Sequence, residues 1–529
     1  MPFNVLLLDN VDPVCAEVFN QRGVQTETSG KLTSEELRAK IGTFDGIVVR
    51  SSTNVDEDLL KHAGKLKVIG RAGVGVDNID IKAATAKGVL VMNTPDGNTI
   101  STAEHTCGMI LAMARNIPSA VDRIKNGGWD RKKFMGTELH HKTLGIIGLG
   151  KIGSEVASRM KAFGMDIIAY DPFATREQSS EIGVELKDLD QVLKSSDFLT
   201  LHTPLTEKTK GLISLENRDK LKKGIRLVNC ARGGIIKESD MAALLDEGIV
   251  SGIAVDVYSE EPPSAKLYEY LKHPAIICTP HLGASTEEAQ KKVAVHIAEQ
   301  MSDALENKSY KGSLNGKSIA LLTNKEVNPY LELSEKLGHL TGQIKPENAN
   351  HFSFEYRGIC ARYAEVLTDG ILKGILTEFV DETVNLINAR HYAAERGLTI
   401  SETTSSDGTL YKDLITIRLS DDAGYRKISA TVFGENDYRI VEINGYGIEL
   451  QLEGDILMYK NIDKPGMLAS VAGKLASKGI NIGALSLGRD KKGSKAITAI
   501  VVDKHLGSDD LKPFFEMEDV DDLKYISLS

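Results

Sequence analysis

The sequence predicts an α/β protein with two doubly wound parallel-sheet domains, the first of them discontinuous, then an α+β intervening domain and a small βαββαβ domain. Three observations favour this fold class. The chain has 529 residues, more than one hydrophobic core normally holds. Short aliphatic runs alternate with helix-length segments in two successive series. Beyond about residue 317 the pattern changes to a mixture of helices and alternating strands.

The first series occupies roughly the first hundred residues and contains four predicted strands: FNVLLLD, DGIVVRS, LKVIGRAG and VLVMNTP. Helical segments separate them, which favours parallel strands joined by right-handed crossovers. A long helical pattern follows from Ser101, and Pro118 within it predicts a kink or break. The polar arm after this helix holds the only tryptophan, Trp129, which either anchors an interface or covers its own domain.

The second series begins at Lys142 and contains six predicted strands, enough for a complete doubly wound sheet: TLGIIGLG, MDIIAYDP, FLTLHTPL, IRLVNCARGG, SGIAVDVY and AIICTPHLG. The helical run STEEAQKKVAVHIAEQMSDALEN after it is predicted to return to the first domain. We therefore predict a first domain of residues 1–97 and 285–315 and a second of residues 98–284. Residues 316–452 and 455–529 are predicted to form the third and fourth domains.

Composition limits the compartment and the partners. The net charge of −10 argues against nucleic acid or an anionic membrane as the main partner. The five cysteines lack the spacing of metal sites or disulfide frameworks, which predicts a reducing compartment and no metal site. The N-terminal run lacks a charged start and a cleavage site, and no segment reaches about 18 apolar residues. We expect a cytoplasmic protein that binds neither nucleic acid nor membrane.

A glycine-rich loop follows the first strand of the second series. Gly148, Gly150 and Gly153 form a G-x-G-x-x-G pattern between a predicted strand and a predicted helix, the context in which this pattern binds a dinucleotide pyrophosphate. The helix N-terminus supplies free N–H groups to the anion. The next strand ends in Asp171, a carboxylate that accepts hydrogen bonds from an unmodified ribose and repels a 2′-phosphate. The predicted cofactor is NAD rather than NADP.

Three later strands of this series end in polar residues: Arg232, the pair Glu260-Glu261, and His281. Each alone is compatible with a surface or core role, and a lone histidine is more often structural. Together at the carboxyl edge of a nucleotide-binding sheet they form an acid/base set. His281 suits the base that takes a hydroxyl proton, Glu261 could orient the imidazole, and Arg232 could bind a carboxylate.

The motifs GLGKIG, CARGG, EEP and PHLGAST resemble those of the D-isomer-specific 2-hydroxyacid dehydrogenases, over residues 1 to about 310. The resemblance implies that residues 98–284 bind NAD, that the discontinuous first domain binds the substrate, and that Arg232, Glu261 and His281 are catalytic. The sequence departs from the family at Lys237-Glu238, where an acidic pair is usual. We expect this departure to have little effect on the chemistry. The further cofactor contacts that it implies are Val74, Lys151, Ile152, Thr203, Cys230, Ala231, Asp256, Gly283 and Ala284.

Two arginines narrow the choice of substrate among the 2-hydroxy acids. Arg50 and Arg71 each end a strand of the first domain, where the loops should face the crevice, and two guanidinium groups can clamp a phosphate. Each could instead be a surface cation. The motifs RAGVGVDNID and RKKFMGTEL resemble those of one branch of this family. The resemblance implies oxidation of 3-phospho-D-glycerate to 3-phosphohydroxypyruvate, the first step of L-serine biosynthesis. The alternatives are a reductase of another short 2-keto acid, such as hydroxypyruvate or glyoxylate, and an NADH-responsive scaffold.

The last 75 residues resemble an ACT domain, a regulatory module that binds amino acids. The resemblance implies a ligand site at Asn461, Asp463 and Asn481, and L-serine as its ligand. Asp463 stands where serine-sensing members have an amide, so a purely structural pairing module is the alternative. Self-association through residues 98–140 and this tail predicts a homotetramer.

Overall fold

The computed structural model describes residues 2–30, 32–346, 348–406, 410–421, 424–434, 436–491 and 493–528. The first sheet has five parallel strands in the order β2-β1-β3-β4-β5. Its strands are β1 (Asn4–Leu7), β2 (Gln25–Thr28), β3 (Gly46–Val49), β4 (Val68–Arg71) and β5 (Leu90–Asn93). The helices between them are α1 (Val14–Gln21), α2 (Ser34–Ile41), α3 (Glu57–Leu60) and α4 (Ile81–Ala86). Four of these strands match the predicted ones; the sequence analysis missed β2, a polar edge strand with almost no buried face.

The predicted break at Pro118 is confirmed. Helix α5 (Thr99–Ala114) ends, Asn116 adopts a left-handed conformation, and α6 (Ile117–Lys125) begins with Pro118 in its first turn. Helix α6 presents Ile117, Val121 and Ile124 to solvent. Trp129 beyond it is 77% exposed, so it does not cover its own domain.

The second sheet has seven parallel strands in the order β12-β11-β10-β9-β6-β7-β8, which is the doubly wound order of a Rossmann domain. Its strands are β6 (Thr143–Ile147), β7 (Asp166–Tyr170), β8 (Glu185–Leu186), β9 (Phe198–Leu201), β10 (Ile225–Asn229), β11 (Val250–Val255) and β12 (Ile276–Cys278). The helices are α7 (Lys151–Ala162), α8 (Arg176–Glu181), α9 (Leu189–Ser195), α10 (Met241–Asp246) and α11 (Ala265–Leu271). Six strands were predicted; β8, with two residues, is too short to show a pattern.

Helix α12 (Glu287–Leu305) returns to the first sheet, as predicted. Its buried face, including Ile297 and Met301, packs with α1 and β4 in one hydrophobic core. After it the chain still contacts β5, through a hydrogen bond from Leu314 N to Val91 O of 2.8 Å. The first α/β unit is therefore discontinuous, and the chain crosses twice between the two sheets. A cleft lies between them, at the carboxyl ends of both.

The intervening region packs three helices against a six-stranded mixed sheet in the order β14-β13-β15-β16-β17-β18. Its strands are β13 (His351–Arg357), β14 (Thr399–Ser405), β15 (Leu414–Asp421), β16 (Gly424–Gly434), β17 (Asp437–Ile443) and β18 (Tyr446–Gln451). Its helices are α13 (Asn328–Ile344), α14 (Ala364–Thr377) and α15 (Ala389–Glu395). This is the predicted α+β architecture.

The C-terminal region has the predicted βαββαβ topology and an antiparallel sheet in the order β20-β21-β19-β22. Its elements are β19 (Gly454–Ile462), α16 (Met467–Ser477), β20 (Ile482–Arg489), β21 (Lys495–Val502), α17 (Ser508–Phe515) and β22 (Val520–Leu528). In the part of the chain that the structure describes, no helix is both long and apolar enough to cross a membrane.

Candidate active site

The glycine-rich loop lies at the point where the strand order of the second sheet reverses, between β6 and β9. Gly148 has φ +95°, and a Cβ there would collide with the carbonyl of His202 in the loop after β9. A Cβ at Gly153 would collide with the carbonyl of Gly148, so only glycine lets α7 start so close to the strand. The N-terminus of α7 therefore points at the crevice where a pyrophosphate binds in this fold.

Asp171 follows β7 and lies beside this loop. Its carboxylate accepts hydrogen bonds of 2.8 Å from the backbone N–H of Leu149 and of 2.8 Å from that of Phe173. A carboxylate has about four acceptor positions, so capacity remains for ribose hydroxyls. The buried hydroxyl oxygen of Thr203, across the crevice, has no hydrogen-bond partner within the described residues. The loop, Asp171 and this unsatisfied oxygen fit a dinucleotide.

Asp171→Ala should raise the dissociation constant of NAD by about 10- to 100-fold, because a hydrogen bond to a charged group contributes about 1.5–3 kcal/mol. It should also narrow the preference for NAD over NADP, since the repulsive carboxylate is gone. Titrations with both reduced cofactors, followed by fluorescence, measure the two constants. Asp166→Ala, at the exposed start of the same strand, is the matched control and should change neither. An unchanged ratio of the two constants would contradict the role of Asp171.

Four of the other predicted cofactor residues lie in the loops after β4 and β10 and in the helix turn after β6. Ile152 and Lys151 lie in the first turn of α7, and Lys151 forms an ion pair with Asp96 of the first crossover. Val74 lies in the loop after β4, where its carbonyl accepts a hydrogen bond of 2.6 Å from the Asn93 side chain. Cys230 is buried after β10, and burial is the main cause that raises the pKa of its thiol to about 12.

Arg232 is positioned by a residue that the sequence analysis missed. The side chain of Asn229, at the end of β10, accepts a hydrogen bond from Ala231 N (3.1 Å) and donates one to the carbonyl of Arg232 (2.8 Å). The guanidinium Nε lies 3.3 Å from the Asp77 carboxylate of the first domain. Arg232 therefore bridges the cleft. A buried asparagine ending a strand, directly before the quoted CARGG motif, was the available signal.

His281 and Glu261 form a direct pair. His281 Nδ1 lies 2.6 Å from Glu261 Oε2, and the other carboxylate oxygen accepts the Tyr258 N–H at 3.1 Å. A hydrogen bond to a carboxylate requires a proton on Nδ1, which leaves Nε2 as the basic nitrogen of the neutral ring. The backbone of His281 has φ +55°, in the left-handed region. Such a conformation in a non-glycine residue is a feature of functional loops.

The pair shifts both pKa values. The hydrogen bond that His281 Nδ1 donates to Glu261 is the main cause that raises the pKa of His281 above its ordinary value. Burial alone would raise the pKa of Glu261, but His281 and the Tyr258 amide hold it below its ordinary value. Glu261 therefore stays ionised near neutral pH, and its negative charge favours the protonated form of His281.

Glu261→Gln should shift the pH profile. A base must be unprotonated to accept a proton, so the rate of oxidation rises as the pH increases through the pKa of His281. Removing the negative charge lowers that pKa, so the acid limb of kcat/KM should move to lower pH. The plateau should fall by about 10- to 100-fold, because the ring loses its orienting partner. Glu260→Gln, the exposed neighbouring carboxylate, is the control; identical profiles for both variants would contradict the role of Glu261.

Arg50 and Arg71 line a cavity of about 390 Å³ together with Glu261 and His281. Burial is the main cause that lowers the pKa of Arg71 to about 10, and the charges of Arg232 and Arg50 add to it. The buried Nε of Arg71 has no hydrogen-bond partner within the described residues. Three like charges and an unpartnered donor beside an acid/base pair are suited to an anionic substrate.

Glu238 also supports the site, contrary to the expectation that the departure at Lys237-Glu238 has little effect. Its carboxylate accepts the backbone N–H of Ser259 at 2.7 Å and contacts the Ser259 hydroxyl. This holds the turn that leads to Glu261. Lys237 forms ion pairs with Glu216 and Asp240, each at 3.4 Å.

A larger cleft of about 980 Å³ lies between the first sheet and the intervening domain. Asn385 and Asn388 cross it by hydrogen bonds to the carbonyls of Gly88 (2.9 Å) and Ala86 (3.5 Å). Its lining contains neither the His281–Glu261 pair nor the glycine-rich loop. The smaller cavity is therefore the candidate active site.

The three residues predicted to bind an amino acid do not meet within one chain. Asn461 lies near the end of β19, and Asp463 just after it contacts Arg489 at 3.1 Å. Asn481 precedes β20 and donates to Asp503 at 2.6 Å, at the opposite end of the sheet. About six residues of strand, on the order of 20 Å, separate the two ends. A ligand touching all three would have to lie between two copies of this domain.

Comparisons with known proteins agree with this geometry. Residues 107–283 match the NAD-binding domain of D-isomer-specific 2-hydroxyacid dehydrogenases, and residues 326–444 match the D-3-phosphoglycerate dehydrogenase intervening domain. The chain is 41% identical to the D-3-phosphoglycerate dehydrogenase of Bacillus subtilis over 92% of its own length and 93% of that protein's. It is 39% identical to the one of Methanocaldococcus jannaschii over 99% of both chains. The chain belongs to the D-3-phosphoglycerate dehydrogenase family.

One solved structure resembles this chain over more than half of its length. The D-lactate dehydrogenase of Aquifex aeolicus, complexed with NAD and lactic acid, is 28% identical and has a TM-score of 0.51. It covers 57% of this chain and 96% of its own. This chain thus shares a fold with that NAD-bound dehydrogenase over more than half of its length, and its match to an NAD-binding domain gives NAD as the cofactor.

Proposed function

We propose that this protein oxidises 3-phospho-D-glycerate to 3-phosphohydroxypyruvate with NAD, the first step of L-serine biosynthesis. The observation that carries the proposal is the position of Arg50 and Arg71 in the same cavity as the His281–Glu261 pair. A phosphorylated 2-hydroxy acid carries two anionic groups. Arg50 and Arg71 in this cavity, and Arg232 close enough for its charge to act on Arg71, supply matching cations. The relatives from Bacillus subtilis and Methanocaldococcus jannaschii are D-3-phosphoglycerate dehydrogenases, which agrees with this substrate.

Each residue around the cavity has a separate role in the reaction. Nε2 of His281 takes the hydroxyl proton of the substrate, while Glu261 holds the ring and stabilises the imidazolium that forms. Arg232 binds the carboxylate, and Arg50 and Arg71 bind the phosphate. NAD, when bound along the glycine-rich loop and Asp171, supplies the hydride acceptor. In the reverse direction His281 returns the proton.

The test follows NADH consumption with 3-phosphohydroxypyruvate and, separately, with unphosphorylated hydroxypyruvate, each with and without L-serine. Rapid loss of NADH with the phosphorylated substrate alone is the expected result. Equal rates with both would favour a reductase of another short 2-keto acid, the activity class to which the solved lactate dehydrogenase belongs. No loss with either would favour an NADH-responsive scaffold.

We further propose that the protein is a cytoplasmic homotetramer and that L-serine binds its C-terminal domain. The exposed apolar side chains of α6, with Trp129 beyond them, support self-association there. Asn461 and Asn481 lie at opposite ends of one sheet, which supports a ligand site shared by two copies. Light scattering gives the mass, and slower NADH consumption in the presence of L-serine is the expected regulatory result.

A further inference from the structure

The segment Thr279–Gly283, which carries His281, is held in place by hydrogen bonds to one buried carboxylate. Asp256, which is fully buried after β11, accepts hydrogen bonds from the Thr279 hydroxyl (2.6 Å) and the Leu282 N–H (2.7 Å) on one oxygen. Its other oxygen accepts the Gly283 N–H at 2.9 Å. These three bonds flank His281 on both sides. The left-handed backbone of His281 therefore depends on the position of the Asp256 carboxylate.

A second histidine fixes that carboxylate from the opposite side. His105, on α5, places Nε2 3.2 Å from Asp256 Oδ1 and 3.2 Å from the Thr279 hydroxyl oxygen. Since the Thr279 hydroxyl hydrogen is directed to Asp256, both neighbouring oxygens act as acceptors, and Nε2 must carry the proton. His105 therefore donates to the point where Asp256 and the His281 segment meet. Its side chain is 21% exposed.

Loss of the His105 donor would destabilise the ionised carboxylate of Asp256. Burial alone would raise the pKa of Asp256, and the hydrogen bonds from His105, Thr279 and Leu282 hold it below its ordinary value. A buried carboxylate that loses a donor must find another or move toward water. Either movement displaces the two backbone N–H groups bound to Asp256. His281, which directly precedes Leu282, would move with them.

His105, Cys230 and Asp256 also bring three potential metal ligands within 4.8 Å of one another. Their surroundings favour hydrogen bonding instead. Both oxygens of Asp256 are already used by backbone and hydroxyl donors, and the pKa of the Cys230 thiol is raised to about 12, mainly by burial. A thiol rather than a thiolate is a poor metal ligand.

We propose that His105 is a positioning residue for the reaction: it holds the Asp256 carboxylate, and thereby orients the segment Thr279–Gly283 that presents His281 to the substrate. The kinetic consequence rests on the proposed function of His281, whereas the structural consequence does not. His105 does not touch the reacting atoms, and it acts through Asp256. A misplacement of the base by about 1 Å is enough to lower turnover by up to about 10²-fold.

The experiment compares His105→Leu, which removes the donor, with His105→Gln, whose amide can donate from nearly the same position. Glu104→Gln, on the exposed side of the same helix, is the matched control. Amide hydrogen exchange of the peptide containing Leu282 and Gly283 is measured in the full-length protein without substrate. Exchange should increase in His105→Leu only, and only in this peptide. The kcat of His105→Leu should fall by about 10- to 100-fold, with a nearly unchanged KM for the substrate, and His105→Gln should regain most of it.

Three results would overturn the inference. The first is unchanged exchange at Leu282 and Gly283 in His105→Leu. The second is exchange increased throughout the protein, with no rescue by glutamine, which would mean a general packing role. The third is a weaker affinity for NAD with an unchanged kcat, which would restrict Asp256 and its partner to cofactor binding. If the wild-type protein does not turn over 3-phosphohydroxypyruvate, the proposed function fails, while the exchange result still decides the role of His105.

Discussion

Replacing His281 with alanine is expected to lower kcat for 3-phosphoglycerate oxidation by about 10²- to 10⁴-fold. The reason is that Nε2 of His281 is the basic nitrogen of the neutral ring, set by the 2.6 Å contact between Nδ1 and Glu261. Binding of NAD should persist, because the glycine-rich loop and Asp171 follow β6 and β7, whereas His281 follows the edge strand β12. Steady-state kinetics and fluorescence titration with NADH measure the two effects separately.

The matched control is His62→Ala, an exposed histidine of the first domain. It should leave kcat and cofactor binding unchanged. His281→Ala should also lose the acid limb that the imidazole gives to the pH profile, because the pKa of His281, raised mainly by Glu261, no longer contributes. Retention of wild-type turnover, or of an unshifted acid limb, would remove His281 from the mechanism.

The residues that the sequence could place are those at strand ends. Arg232, Glu261 and His281 each follow a strongly apolar strand of one parallel sheet, so their approach to a common edge follows from topology alone. The strands that were missed, β2 and β8, are an edge strand with almost no buried face and a two-residue strand. Both lack the hydrophobic pattern that identifies a strand.

The supporting contacts were beyond the reach of sequence reasoning for a different reason. Asn229, Glu238 and His105 each hold a functional loop by hydrogen bonds to backbone or carboxylate groups. Such contacts depend on the spatial proximity of distant segments: 151 residues separate His105 from Asp256 in the sequence. The same limit applies to the C-terminal domain, where the strand order places Asn481 at the end of the sheet away from Asn461. Local pattern does not encode that order.

Replacing Arg71 with glutamine is expected to reduce kcat/KM for the phosphorylated substrate by about 10- to 100-fold, since a hydrogen bond to a charged group contributes about 1.5–3 kcal/mol. Hydroxypyruvate lacks the phosphate, so its kcat/KM should change far less. The ratio of the two values measures phosphate recognition directly. A matched control is Arg38→Gln, a partly exposed arginine paired with Asp58, which should leave the ratio unchanged.

The Arg71→Gln substitution should change stability in the direction opposite to its effect on activity. Without an anion, Arg71 is buried beside two like charges and one of its N–H groups has no partner among the described residues, so it costs stability in the free protein. The variant should therefore unfold at an equal or higher temperature than the wild type, while inorganic phosphate should raise the Tm of the wild type more than that of the variant. A structural arginine behaves in the reverse way, because its removal lowers the Tm and leaves the response to phosphate intact. Loss of activity together with a gain in stability is the result that assigns Arg71 to the substrate.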